Sequence, residues 1–229
     1  MAIAHTQPKT ILFLGATGGC ALSALRQALQ AKQTCLALVR TPSKLNALLT
    51  PEEQSQVHIH QGNAHDLSAI RRVLVNPSRP NALVDYIVSS IGNPVSWEGM
   101  RNLDAEVCRK GLTILLQAIA ELRDESLTGN PHIIALSSTG LSSFHRDIPL
   151  AMVPLYKAIL AVPHRDKKAM EDALIRSTET WTIVRASALT DGIGGKTTVR
   201  AGMEDPVEGK VESKAVGYTI SREDVGRWI

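Results

Sequence analysis

The chain has 229 residues, with 25 Lys and Arg against 22 Asp and Glu, 44% hydrophobic and 3% aromatic residues. This is the composition of a soluble globular protein and excludes disordered, fibrous and membrane-embedded classes. A net charge of +3 is too small for a nucleic-acid surface, so no nucleic-acid partner is expected. A chain of this length removes about 70% of its unfolded surface from water and needs neither disulfides nor a structural metal to hold a core. Cys20, Cys35 and Cys108 are odd in number and lack C-x-x-C or Cys/His spacing, which argues for a reducing, cytoplasmic setting and against a metal site. Leu150–Pro163 is the longest apolar stretch, but Pro154 and Lys157 interrupt it and it is too short to span a bilayer. The opening MAIAHTQPK lacks the apolar core of a signal peptide, so neither membrane insertion nor secretion is expected. The charge is uneven: the first 51 residues carry five cations and no acid, and the remaining 178 sum to −2. This asymmetry predicts an anionic ligand near the N-terminal part.

In chain order, short aliphatic runs alternate with stretches of helical spacing. Strands are expected at Ile11–Leu14, Cys35–Val39, Val57–His60, Val84–Ser89, His132–Leu136 and Trp181–Arg185. Several are apolar throughout, as parallel strands buried on both faces must be. Helices are expected at Ala21–Leu29, Leu67–Val75, Ala105–Leu122 and Asp166–Arg176, with Asn130-Pro131 stopping the third before its following strand. This order predicts an α/β fold, a doubly wound parallel sheet of the Rossmann type. One domain over residues 1–229 accounts for the whole chain, with no room for a second. After Arg185 the rhythm decays into the Gly-rich DGIGGKTTVRAG, so residues 186–220 are expected to form a small substrate or lid region. Ser221, followed by Arg222, Glu223 and Asp224, reads as a helix N-terminus of the capping-box kind. A helix ending at Ile229 is short enough to predict further residues beyond it.

The sharpest local signal is ILFLGATGGCALSAL, an apolar strand running through a glycine turn into an amphipathic helix, the context of a dinucleotide-binding fingerprint. Gly15 permits the tight turn, Gly18 lets a pyrophosphate approach the backbone, and Ala21 stands where a small residue lets helix and strand pack closely. The helix N-terminus offers unpaired N–H groups to the phosphates. At the end of the second strand, an acid would bind the ribose hydroxyl of NAD and an Arg the 2′-phosphate of NADP. Arg40 is there, followed by Ser43 and Lys44 in VRTPSKL, so the expected cofactor is NADPH.

Taken together, GATGGCA, LVRTPSK, QGNAHD, SSIGN, LSSTG, DKKAMEDAL, WTIVRASALTDG and ISREDVGRW resemble the atypical short-chain dehydrogenase/reductase family. The likeness is to its NAD(P)H-binding branch, with NmrA-like proteins and biliverdin-IXβ reductase, also called flavin reductase. The resemblance implies that Thr17, Gly18, Gly19 and Cys20 contact the pyrophosphate, that Arg40 and Ser43 hold the 2′-phosphate, and that Asn63-Ala64 lies beside the adenine. It further implies that Ser90-Ile91-Gly92, Ser137 and Ser138 border the cofactor at the ends of the fourth and fifth strands. Asn63 departs from the Asp that the family often carries there.

The Y-x-x-x-K pair of conventional short-chain dehydrogenases, in which Lys lowers the phenol pKa and Tyr moves the proton, is broken. Lys167 is present, but Pro163 stands four residues before it. Tyr156 does not restore the register. In the biliverdin and flavin reductase branch the Tyr is missing too, and the resemblance implies a Ser after the fifth strand and a polar residue in the next helix, matched by Ser138 and Lys167. The family reductase has His where Lys167 stands. His164, one turn before Lys167, is a candidate proton donor near neutral pH, and Tyr156 is a candidate at the mouth of the site. The resulting expectation is an NADPH-dependent oxidoreductase acting on a small carbonyl, quinone, flavin or polyketide-like substrate. The alternatives are an NmrA-like NADP-binding redox sensor acting through a protein partner, and an isomerase or dehydratase that recycles its nucleotide.

Overall fold

The first strand, β1 (Thr10–Leu14), shows why the expected strands are continuously apolar. Leu12 and Leu14 enter one buried cluster and Phe13 enters another on the opposite face, so each residue along it must be hydrophobic. The computed structural model describes residues 7–93, 104–195 and 198–229. Residues 1–6 of the opening segment, and Lys196 and Thr197 of the Gly-rich tail, lie outside the described residues.

From the N-terminus, β1 leads to α1 (Gly19–Gln30), β2 (Thr34–Val39), α2 (Pro42–Asn46), α3 (Pro51–Gln56), β3 (Val57–Gln61) and α4 (Leu67–Leu74). Next come a small hairpin, β4 (Val75–Asn76) and β5 (Arg79–Leu83), then β6 (Tyr86–Ser89), α5 (Val107–Asp124) and β7 (His132–Ser138). The chain continues through α6 (Val153–Ile159), α7 (Ala161–Ile175), β8 (Thr180–Ala186), β9 (Ala188–Thr190), β10 (Met203–Asp205), β11 (Lys210–Ser213), β12 (Thr219–Ser221) and α8 (Arg222–Trp228). The main sheet is parallel, in the order β3-β2-β1-β6-β7-β8. This is the doubly wound Rossmann arrangement, with the order reversing between β1 and β6. Residues of α4, α5 and α7 cover one face, and those of α1 and α8 cover the other.

Several boundaries differ from the sequence expectation. The expected Val84–Ser89 strand begins at Tyr86. Asp85 before it turns its carboxylate onto the Thr10 amide at 2.8 Å and onto Arg79 at 2.7 Å. Val75 leaves the expected Leu67–Val75 helix to pair in the β4–β5 hairpin. α5 ends at Asp124, before Asn130-Pro131, because Ser126 takes a left-handed φ of 73°. α7 begins at Ala161 rather than Asp166, because Pro163 falls in the first turn, where its missing N–H is not needed. The short α2, α3 and α6 carry too few turns to show a hydrophobic period. At Thr50 a reciprocal capping box with Glu53 starts α3.

Candidate cofactor and substrate site

The glycine loop sits where the strand order reverses. Gly15 has φ +84°, and a Cβ there would lie 2.7 Å from the Ser90 carbonyl oxygen. Glycine is therefore required both for the turn and for the approach of β6's exit. The Gly18 amide donates to the Gly15 carbonyl at 2.9 Å, closing the turn, and Gly18 is the N-cap of α1 with no side-chain cap and no acid in the first turn. The first-turn N–H groups of α1 thus point out of a helix start with no side chain to accept from them. That donor set fits a dinucleotide pyrophosphate. Cys20 is buried one residue into the helix, and burial raises its thiol above the ordinary range against the opposing pull of Arg222 and Lys167. Burial alone pushes Cys35 up to about 12, and Cys108 reaches about 12 mainly for the same reason. None of the three is a ready thiolate.

Arg40 follows the last residue of β2 and is exposed, with no ion-pair partner among the described residues. Ser43 lies in the first turn of α2, whose N-cap Thr41 makes no side-chain cap. The site expected for a 2′-phosphate therefore gathers a cation, a hydroxyl and a helix start. Asn63 is turned inward on its own loop: its Oδ1 accepts from the His65 amide at 3.1 Å, and its carbonyl accepts from Asp66 N at 2.9 Å. Ala64 packs against the core. The Ser90 amide donates to the Leu14 carbonyl at 2.9 Å, and the Ile91 carbonyl accepts from the Cys108 thiol. A Cβ on Gly92 would meet nothing within 4 Å among the described residues.

At the end of β7 the structure brings Ser137, Ser138 and Lys167 together. Lys167 Nζ donates to the Leu136 carbonyl at 2.9 Å, and Ser138 Oγ donates to the Thr139 carbonyl at 3.2 Å. Ser137 Oγ and Thr139 Oγ1 are buried with no partner among the described residues. The neighbouring Asp166 lies buried and accepts from the Cys108 and Arg109 amides at 2.8 and 2.9 Å. α5 is therefore capped by a side chain from another helix, which places Lys167 at a defined height above the strand.

Tyr156 and His164 meet edge to face, with ring centroids 5.6 Å apart, in the wall of a cavity of about 490 Å³ beside the Gly140–Ile148 loop. Tyr156 is buried, at 6% exposure, rather than open at a mouth. Burial first, and then the Lys167 ammonium, push the His164 imidazole below its ordinary pKa. Its Nε2 is buried without a partner among the described residues. Both effects favour the neutral imidazole.

A larger cavity, of about 870 Å³, lies under the chain beyond β8 and is walled by β8, residues 198–204, 215–217, 219–221 and 224–225, and Trp228. Its sides include Val184, Val199, Met203, Ile220 and Val225, with Arg185, Glu204, His145 and Asp147 as polar members. A buried ion network fastens this wall. Arg185 reaches Glu171 through Nε at 3.0 Å and Nη2 at 2.7 Å, and it also pairs with Glu204. The Glu171 side chain is fully buried. Burial works against the Glu204 charge, but the Ser142 hydroxyl, at 2.7 Å, and Arg185 outweigh it and hold the carboxyl below its ordinary range. His145 Nδ1 lies 3.3 Å from the same carboxylate. Sequence reading missed this network, because its members lie 14, 19 and 62 residues apart and no local pattern connects them.

Residues 15–229 match the NAD(P)H-binding family. Reductase pytE of Aspergillus terreus is 41% identical over 246 residues, covering 96% of this chain and 89% of that protein. Oxidase pynE of Aspergillus niger is 33% identical over 261 residues, covering 96% and 91%. Among solved structures, ChuY, an anaerobillin reductase from Escherichia coli O157:H7, superposes with a TM-score of 0.66 at 18% identity, covering 96% of this chain and 87% of that one. No helix among the described residues is long and apolar enough to cross a membrane.

Proposed function

The chain belongs to the NAD(P)H-binding family, and from that premise we propose that it is an NADPH-dependent oxidoreductase reducing a small, largely apolar carbonyl, quinone, flavin or polyketide-like substrate. The observation that carries this reading is the juxtaposition of two features along the carboxyl edge of one sheet: an uncapped glycine-loop helix and an apolar-walled cavity of about 870 Å³. Ligands of open α/β sheets bind along that edge. Relatives named as a reductase and an oxidase support redox chemistry.

In this reading Thr17, Gly18, Gly19 and Cys20 hold the pyrophosphate, Arg40 and Ser43 the 2′-phosphate, and Asn63 and Ala64 the adenine side. Ser90, Ile91, Gly92 and Ser137 border the nicotinamide half. The bound cofactor supplies hydride chemistry. Ser138 turns its hydroxyl from the Thr139 carbonyl to a substrate oxygen, and Lys167, steadied by the Leu136 carbonyl, orients the ribose or passes a proton through water. The segment 186–220 forms the substrate wall of a single functional unit.

A second reading, an NmrA-like nucleotide sensor acting on a protein partner, draws on one observation: Pro163 occupies the position of the usual proton-transferring Tyr, in the first turn of α7. Calorimetric titration with NADPH and NADH, on the unaltered chain and on Arg40→Ala, tests the cofactor. Arg40→Ala is expected to weaken NADPH selectively by about 1.5–3 kcal/mol, the worth of hydrogen bonds to a charged group. NADPH oxidation with a panel of quinones and aromatic ketones then separates enzyme from sensor. Turnover that falls in Ser138→Ala supports the enzyme, and tight binding with no oxidation by any acceptor supports the sensor.

A further inference from the structure

Gly19 is a glycine without a backbone reason. It opens α1 with no left-handed φ, and glycine in a helix is less favourable than alanine. What it makes room for is Arg222. A Cβ on Gly19 would run into Arg222 Cδ and lie 3.1 Å from its Cβ and 3.3 Å from its Cγ, so the arginine stem lies directly across the phosphate loop. The guanidinium ends on Asp191, Nη1 to Oδ1 at 2.7 Å. That carboxylate is 92% exposed, and such solvent-facing pairs contribute little. The Arg222 stem therefore lies against a helix start that carries no acid.

We propose that Arg222 is a pyrophosphate ligand that exchanges the exposed Asp191 for the phosphates of the bound dinucleotide. This assignment rests on the cofactor reading above. A guanidinium presents parallel donors that match phosphate oxygens, and it gives up only a weak surface pair to do so. The cation comes from the far end of the chain and supplements the backbone amides of the loop. Arg222 directly follows Ser221, and Ser221, Asp224, Val225 and Trp228 line the larger cavity, so the same helix start faces both the glycine loop and that cavity. α8 does not depend on Arg222 for its place. Ser23 Oγ donates to the Glu223 carbonyl at 3.0 Å, and Gly226 packs directly on Ser23 and on the Ala24 amide.

The test is titration of NADPH and NADH by calorimetry, with the fluorescence of Trp228 in α8 as a second readout. The variants are Arg222→Ala, Arg222→Gln, Asp191→Ala and Arg40→Ala. Arg222→Ala and Arg222→Gln, the latter keeping the stem, are expected to weaken both nucleotides by the same factor, about 10- to 150-fold, the equivalent of one charged hydrogen-bonding group. Arg40→Ala is expected to weaken NADPH alone. Asp191→Ala breaks the same ion pair but frees the guanidinium, so binding is expected to hold or tighten. The proposal is overturned if both Arg222 variants bind within twofold of the unaltered chain, or if Asp191→Ala weakens binding as much as they do, which would leave the pair only a fastening for α8. A loss confined to NADPH would also overturn it, by moving Arg222 to the 2′-phosphate. If the unaltered chain binds neither nucleotide, the cofactor reading itself fails, and this outcome is distinct because no variant is needed to see it.

Discussion

At the β1–α1 turn, the shape of the glycine loop is set between Gly15 and Ala21 by backbone geometry and by the close approach of Ser90. At the other end of the same sheet, the cavity wall hangs on Arg185, Glu171 and Glu204, joined across 14 and 19 residues by buried charge. The first region is rigid because its chain has few conformations open to it. The second is held by interactions that exist only after distant elements have docked, and each of those ions is costly if left alone.

The largest effect that would sharpen this contrast is expected at Glu171. Glu171→Ala leaves Arg185 enclosed beside α7 with half its partners, and unfolding in urea should show a loss of about 3–5 kcal/mol, the range for breaking a buried pair. A loss below about 1 kcal/mol would mean that Glu204 alone satisfies the guanidinium, and that the wall is less dependent on buried charge than argued.

A smaller effect on stability, with a larger one on binding, is expected at the other end. Gly15→Ala places a side chain in a left-handed backbone and presses it on the Ser90 carbonyl. The cost should be about 1–3 kcal/mol, with NADPH titration showing binding lost. Full binding in that variant would break the proposed dependence of nucleotide binding on the local geometry of the glycine turn.

The smallest effect concerns pH. The Glu204 carboxyl is held below its ordinary value of 4.5. Its contribution is therefore complete above that value and disappears as pH falls through the lower native one. Hydrogen exchange of the Met203–Ser213 amides, corrected for the intrinsic pH dependence, should stay slow above pH 4.5 and accelerate below it. Glu204→Gln should remove that acid limb. The β1–α1 turn, which has no acid in the first turn of α1, should show no such limb.

The sequence carried the fold to a considerable depth. All six strands of the main sheet and the four long helices were expected within a few residues, because a doubly buried parallel strand must be apolar at successive positions and an amphipathic helix must repeat its apolar side. Val75 and Val84 were misplaced by the same signal, since an apolar residue next to a turn reads alike in helix and strand until Asp85 is seen bonding Thr10. The glycine loop was legible because a sharp turn, close backbone approach and an open helix start impose residue types within a short window. The roles of Arg222, Asp166 and the Arg185 network were not, because the sequence does not state which charges become neighbours.

The sequence by itself determined the α/β rhythm, the glycine turn after β1 and the absence of the usual Tyr at Pro163, since each follows from the chain within a few residues. Only the tertiary structure decided that α8 returns to lay Arg222 across Gly19, that Asp166 caps a helix 57–58 residues away, and that Arg185 gathers two glutamates into the cavity wall. The physical reason is one of range. Backbone sterics and hydrophobic periodicity act along the chain, whereas a buried ion finds its partner only when packing removes the water between them.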